Sequence, residues 1–237
     1  MNWEIGIDEA GRGPCIGPMV YGGVAVSDVN ANVLNNPLIR DSKKLSDSQR
    51  VASFDTIKNN DGSLFWQTIE ISAETITKEM ECGISLNTIA GNAVIELVLS
   101  SLRYIYKKDK SPASIAVRLD TLSSDTEVYA GYYRESRVLQ EVISKHFPNT
   151  KYSVNAYVKG DSLYKVISAA SIVAKEVREQ RIAGLQKQYG DFGSGYPSDK
   201  KTITWITSNY PSPADLICRR TWKTWKNIEE KMRVRTG

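Results

Sequence analysis

Apolar positions in this chain fall into two kinds of pattern, short dense runs and longer stretches at helical spacing, and they alternate along its length. Trp3 to Ile7 and Met19 to Val26 read as two strands joined by a glycine-rich turn. The segment 41 to 58 opens Asp41-Ser-Lys-Lys-Leu45 and continues with Val51, Phe54 and Ile57 at helical intervals. Asn59-Asn60-Asp61-Gly62 is a turn, and Leu64 to Ile71, rich in aromatic and β-branched residues, predicts a third strand. Residues 74 to 81 predict a short helix, and apolar positions 86, 89, 90, 93, 94, 97 and 98 a long one reaching Tyr106. Ser114 to Leu119 predicts a fourth strand ending at Asp120, Tyr129 to Phe147 a helix, and Lys151 to Tyr157 a fifth strand. Asp161 stands where an N-cap would, ahead of a helix whose apolar face is Leu163, Val166, Ile167, Ala170, Ala174 and Val177. Beyond Gly184, a Gly-Ser-Gly-Tyr-Pro loop at 193 to 197 precedes a last helical region after Thr221.

This order implies an α/β fold with a mixed central sheet flanked by helices. A soft boundary falls near residues 184 to 196, which predicts a core over 1–185 and a mostly helical C-terminal section over 186–237. No apolar run approaches 18 residues, so no membrane span is expected, and Met1-Asn2-Trp3-Glu4 has neither the basic flank nor the apolar stretch of a secretory signal. The three cysteines, Cys15, Cys82 and Cys218, form no C-x-x-C pair, which argues against a zinc site or a disulfide framework. One histidine, His146, argues against histidine-centred catalysis and reads as a helix-ending residue before Phe147-Pro148. The net charge of +4 is compatible with nucleic acid without demonstrating it. Arg219, Arg220, Lys223, Lys226, Lys231, Arg233 and Arg235, interleaved with Trp222 and Trp225, are either a solvated helix face or a basic contact surface.

The chemistry lies in the acids. Ile5 and Ile7 lead directly into Asp8 and Glu9 and then into Gly11-Arg12-Gly13. Hard oxygen ligands at a strand end suit a divalent cation, and flanking glycines let backbone N–H groups come close to a ligand. A β-turn with two solvated acids has the same local sequence. Asp120 and Asp161 also fall at strand ends, and in open α/β sheets such positions gather at one edge. Taken singly, Asp120 is a turn initiator and Asp161 an N-cap. Together, four carboxylates would repel one another unless a cation neutralised them. Two metals about 4 Å apart can serve both the attacking and the leaving oxygen of a phosphoryl displacement.

Several of these segments together resemble the type 2 ribonucleases H, the ribonuclease HII family. They are Ile-Asp-Glu-Ala-Gly-Arg-Gly at 7 to 13 with Gly17-Pro18, Asp41 to Leu45, Asp120-Thr121, and Asp161 followed by Ala-Ala-Ser-Ile-Val-Ala-Lys at 169 to 175. Phe-Gly-Ser-Gly-Tyr-Pro at 192 to 197 and Arg-Thr-Trp-Lys-Thr at 220 to 224 are similar to the eukaryotic catalytic subunit. The resemblance spans roughly residues 3 to 228 and implies a ribonuclease-H-like core. It implies an endonuclease that cuts the RNA strand of RNA–DNA hybrids and the 5′ side of single ribonucleotides in duplex DNA. That activity serves ribonucleotide and primer removal in replication and repair. By position, Asp8, Glu9, Asp120 and Asp161 would be the catalytic acids, holding two divalent ions, Mg²⁺ or Mn²⁺. Gly11, Arg12 and Gly13 match the turn that reads the ribose 2′-hydroxyl. Tyr196 matches a tyrosine that stacks on the following deoxyribose, although a turn aromatic beside Pro197 would look the same. Lys43, Lys44, Ser171 and Lys175 are candidate phosphate contacts. The same likeness leaves room for two accessory subunits, as in eukaryotic heterotrimers, and implies a nuclear setting with the cytoplasm as the alternative.

The chain departs from the family at Leu-Ser-Ser-Asp (122 to 125), where relatives often carry Val-Gly, and at Thr221, where they usually carry Ser. Two other readings compete. One is a catalytically idle hybrid-binding subunit, which the presence of all four acids opposes. The other is a type 1 ribonuclease H, which lacks the Gly-Arg-Gly turn.

Overall fold

The computed structural model describes residues 1–122 and 124–236, with the side chains of 235 and 236 excepted. Ser123 of the departing loop and the Arg235 side chain of the basic stretch therefore lie outside the described residues. In chain order the first half runs β1 (Asn2–Ala10), β2 (Met19–Ser27), α1 (Asp47–Asn59), β3 (Leu64–Ile71), α2 (Ala73–Glu81), α3 (Leu86–Lys108) and β4 (Ser114–Thr121). It continues with α4 (Thr126–Arg134), α5 (Arg137–His146), β5 (Lys151–Val158), α6 (Gly160–Leu163), α7 (Lys165–Tyr189), α8 (Lys200–Ser208), α9 (Ala214–Ile217) and α10 (Lys223–Thr236). Short 3₁₀ turns cover Asp28–Asn35 and Ser42–Lys44.

The strands form the mixed sheet that the sequence implied, and the structure gives its order as β3-β2-β1-β4-β5, with β1, β4 and β5 parallel. β2 is buried at every position, as befits an interior strand. The chain forms two compact units, neither continuous in sequence. The first comprises Met1–Ala10, Tyr21–Ile69 and Asn92–Glu176, and the second Gly11–Val20, Glu70–Gly91 and Val177–Gly237.

In the first unit, Ile5, Val24, Leu97, Leu102, Val166, Ile167 and Val173 are almost wholly buried. Each such side chain contributes roughly 1.5–3 kcal/mol over its exposed state. Helix α7 meets β1 and β2 at close range because both carry glycine there. A Cβ on Gly6 would overlap the Val166 carbonyl, and one on Gly22 would overlap the Ala170 carbonyl. α1 starts on a capping box. Ser46 Oγ accepts from Gln49 N–H at 3.3 Å and Gln49 Oε1 accepts from Ser46 N–H at 3.1 Å. His146 ends α5, as expected, and its ring packs on Tyr106 with centroids 4.9 Å apart.

In the second unit, Cys15, Ile16, Ile182, Phe192, Ile206, Ile217, Cys218, Trp225 and Ile228 form a separate core. Among the described residues no helix is long and apolar enough to cross a membrane.

Two expectations are corrected. The helix expected over 129–147 is two, with a break at Glu135 and Ser136, where the Glu135 N–H closes onto Gly131 O and Ser136 stands at the start of the next helix without a side-chain capping bond. Apolar spacing continues across the break, so periodicity alone does not show it. α8, capped by Asp199 accepting from Lys201 N–H, follows the 193–197 loop within the section expected to be mostly helical. Asp161 does not act as an N-cap. Lys159 turns left-handed at φ 56°, Gly160 opens a single helical turn, and Asp161 falls inside that turn.

Candidate active site

Strand register brings the first acids together. Ile7 pairs with Leu119 across parallel strands, so one step further Asp8 and Asp120 stand level and project on one face of the sheet. Asp8 is buried, and its Oδ1 accepts from the Glu9 N–H at 2.7 Å. Burial first, then the charges of Glu9 and Asp120, hold its carboxyl well above the ordinary range, and the Ser171 hydroxyl offsets only part of this. Asp120, half-buried, is raised for the same leading reason and by Asp161. The Gly160 N–H donates to Asp120 Oδ1 at 2.5 Å and pulls the other way.

Asp161 is only 2% exposed. Its backbone carbonyl accepts from Ser168 Oγ at 2.5 Å, which fixes the turn. One carboxylate oxygen, Oδ2, lies 3.3 Å from Lys43 Nζ, while Oδ1 is buried with no hydrogen-bond partner. The cations form the rest of the arrangement. Burial opposes the Lys43 ammonium, but Asp161, Asp41 and Asp120 outweigh it and hold it above its ordinary range. Lys44 pairs with Asp41, its Nζ 3.7 Å from Asp41 Oδ2. Lys175 donates to Ser42 Oγ, and Ser42 Oγ is bonded to Ser171 Oγ at 3.0 Å. Burial draws Lys175 below its ordinary range, against the pull of Asp8 and Asp161.

The acids thus share one electrostatic neighbourhood. Among the described residues, however, no three carboxylate, thiol or imidazole groups already stand in an arrangement that would hold a metal ion. The donor chemistry still fits a hard divalent cation. The groups are carboxylate oxygens, two of them are held in a state that resists ionisation, and a third keeps a buried oxygen unsatisfied.

The Gly11–Gly13 turn and Tyr196 belong to the second unit. Gly11 is left-handed at φ 78°, and Arg12 Nη2 donates to Asn87 Oδ1 at 2.5 Å. Gly13 is exposed, and a Cβ on it would lie 3.5 Å from the Tyr196 ring, so the ring faces the turn across the space a side chain would fill. Tyr196 itself is 42% exposed. Its loop is rigidly tied: Cys15 N–H donates to Gly195 O at 2.8 Å, and Ser194 N–H and Oγ both donate to Asp199, whose carboxyl they pull down to about 2.

Sequence reasoning missed Ser42, Gly160 and Ser168, whose roles depend on contacts remote in sequence. It also misjudged Arg219. That residue, read as part of a basic face, is fully buried, as is most of Trp225. The only local hint is that Arg219 precedes α10 rather than lying on it.

A family model described as Ribonuclease HII matches residues 5–225. The ribonuclease HII of Thermoplasma volcanium is 36% identical over 229 residues, covering 96% of this chain and 93% of that protein. The ribonuclease HII of Pyrococcus furiosus is 37% identical, covering 97% and 92%. The crystal structure of the ribonuclease H2 from Pyrococcus horikoshii OT3 superposes with a TM-score of 0.72 at 31% identity, covering 98% of this chain and 99% of that one.

Proposed function

Because the chain belongs to the ribonuclease HII family and is a type 2 ribonuclease H, a phosphodiester endonuclease, we propose that it acts on ribonucleotides paired with DNA. It hydrolyses the RNA strand of RNA–DNA hybrids and incises on the 5′ side of single ribonucleotides in duplex DNA, leaving 5′-phosphate and 3′-hydroxyl ends. The observation that carries this reading is the Asp161 carboxylate, buried with one oxygen on Lys43 and the other unpartnered, beside Asp8 and Asp120. Leaving such an oxygen unsatisfied costs roughly 1–3 kcal/mol or more, which a bound cation would relieve.

Asp8, Glu9, Asp120 and Asp161 would hold two divalent ions, Mg²⁺ or Mn²⁺. When bound, such a pair supplies the positive charge that activates an attacking water and steadies the departing 3′ oxygen. The chain's own residues do the rest. Lys43, its side chain 67% exposed, offers an ammonium to a phosphate, and Ser42 and Ser171 tie Lys175 to the Asp8 side of the cluster. Gly11 to Gly13 read the ribose 2′-hydroxyl, and the exposed Tyr196 ring stacks on the next deoxyribose.

The test is cleavage of labelled duplex DNA carrying one ribonucleotide, by the purified chain, with Mg²⁺ and with EDTA. Metal-dependent incision 5′ of the ribonucleotide is expected and would show that no accessory subunit is needed. Cleavage of long hybrids with the single ribonucleotide spared would overturn the reading in favour of a type 1 specificity.

A further inference from the structure

Arg219 is a buried arginine with no carboxylate partner among its described bonds, and its guanidinium is committed to backbone carbonyls. It is 0% exposed. Nη2 donates to Gly11 O at 2.6 Å, Nη1 to Arg12 O at 2.9 Å and Nε to Gly17 O at 3.1 Å. Its own N–H donates to Cys15 O at 2.9 Å, beside the bridge between Ile16 and Cys218. The guanidinium lies 4.9 Å from the Trp222 ring centroid, and Trp222 Nε1 donates to Gly13 O at 3.3 Å. Three consecutive carbonyls, those of Gly11, Arg12 and Gly13, are therefore oriented by two side chains.

The consequence follows from peptide geometry. A trans peptide points the C=O of one residue and the N–H of the next in opposite directions. The cis bonds among the described residues are both X–Pro, at 210–211 and 212–213, so the turn's peptides are trans. With the Gly11 and Arg12 carbonyls drawn onto the buried fork, the N–H groups of Arg12 and Gly13 face the opposite way. A planar guanidinium presents its donors in a fixed fork, which a lysine ammonium cannot reproduce. Burial, and then the neighbouring Arg178 guanidinium, push Arg219 down to about 9, so the fork stays charged at neutral pH.

We propose that Arg219, with Trp222, is the positioning residue for hydroxyl discrimination: it fixes the peptide planes of the Gly11–Gly13 turn so that the turn distinguishes ribose from deoxyribose. This rests on the reading of that turn given above. Arg219 touches no nucleic acid; it acts through the backbone it holds.

The experiment compares binding of a duplex with one ribonucleotide against the same duplex in all-DNA form, for the parent, Arg219→Lys and Trp222→Phe, in EDTA, with melting curves for each. General damage to the fold weakens both duplexes alike and leaves their affinity ratio unchanged, so the ratio isolates positioning. A folded Arg219→Lys is expected to lose roughly tenfold or more of the ratio, as for a misaligned hydrogen bond to a hydroxyl. Trp222→Phe, which keeps an aromatic ring but loses the indole N–H donor, is expected to lose about threefold. A folded Arg219→Lys with the parent ratio overturns the inference. If Arg219→Lys does not fold, an unchanged ratio in Trp222→Phe overturns it. A parent with no preference for the ribonucleotide instead overturns the reading of the turn, and that outcome is visible before any variant is made.

Discussion

Replacing Asp8 by asparagine should make the metal-free protein more stable while abolishing cleavage. Asp8 is 6% exposed, and its charge is opposed first by burial and then by Glu9 and Asp120. At an effective dielectric of about 20, two like charges roughly 5 Å apart repel by about 3 kcal/mol. The Ser171 hydroxyl and the Glu9 N–H offset part of this for Asp8. We therefore expect a net gain of about 1–2 kcal/mol in Asp8→Asn, which for a chain of this size raises Tm by roughly 2–8 °C. The sign with pH follows from linkage. The folded pKa of Asp8 lies above its unfolded value, so the native state holds the extra proton between the two. The stability associated with protonated Asp8 is complete below the unfolded value near 4 and is lost as pH rises through the folded pKa. The advantage of the variant should thus be absent near pH 4 and full at the alkaline end of that window. Thermal melts in EDTA across this range measure it. Adding Mg²⁺ or Mn²⁺ should then stabilise the parent more than the variant, because the ion binds the native carboxylates. An Asp8→Asn protein whose advantage over the parent in EDTA does not grow as pH rises from about 4 would refute the argument that this site stores electrostatic repulsion.

Gly6→Ala should cost about 3 kcal/mol or more, since the new Cβ would overlap the Val166 carbonyl and lie 2.7 Å from Ile167 N, both backbone atoms that cannot step aside; denaturant melts with a parent-like midpoint would contradict this. Glu176→Ala removes the buried partner of Arg50, whose Nε lies 2.5 Å from Glu176 Oε1 while its Nη2 keeps Asp47 at 2.9 Å. The expected loss is about 2–3 kcal/mol by the same assay. Tyr196→Ala should slow incision at single ribonucleotides more than cleavage of long hybrids, and equal losses in kcat/KM on both would argue against its stacking role.

Much of this protein was legible before any coordinates. The five strands lie where dense apolar runs lie, and the α/β order, the mixed sheet and the family follow from pattern and motif. These features are local: a strand at 114–121 or a glycine turn at 11–13 is written in neighbouring residues. Tertiary structure decided what depends on surroundings. Asp161 looked like a cap because its neighbours in sequence form a helix. It became a buried carboxylate with a vacant oxygen because Lys159 turns left-handed and Gly160 turns its N–H toward Asp120. Arg219 and Lys226 look alike in a basic stretch, yet one is enclosed by the carbonyls of 11, 12 and 17 and the other faces solvent. Lys175 reaches the acids not by its distance along α7 from Asp161 but through Ser42 and Ser171, residues brought beside it from far along the chain. Periodicity and turn chemistry act between residues a few positions apart, so the sequence carries them directly. Burial, charge repulsion and hydrogen-bond partnership act between residues that only the fold makes neighbours.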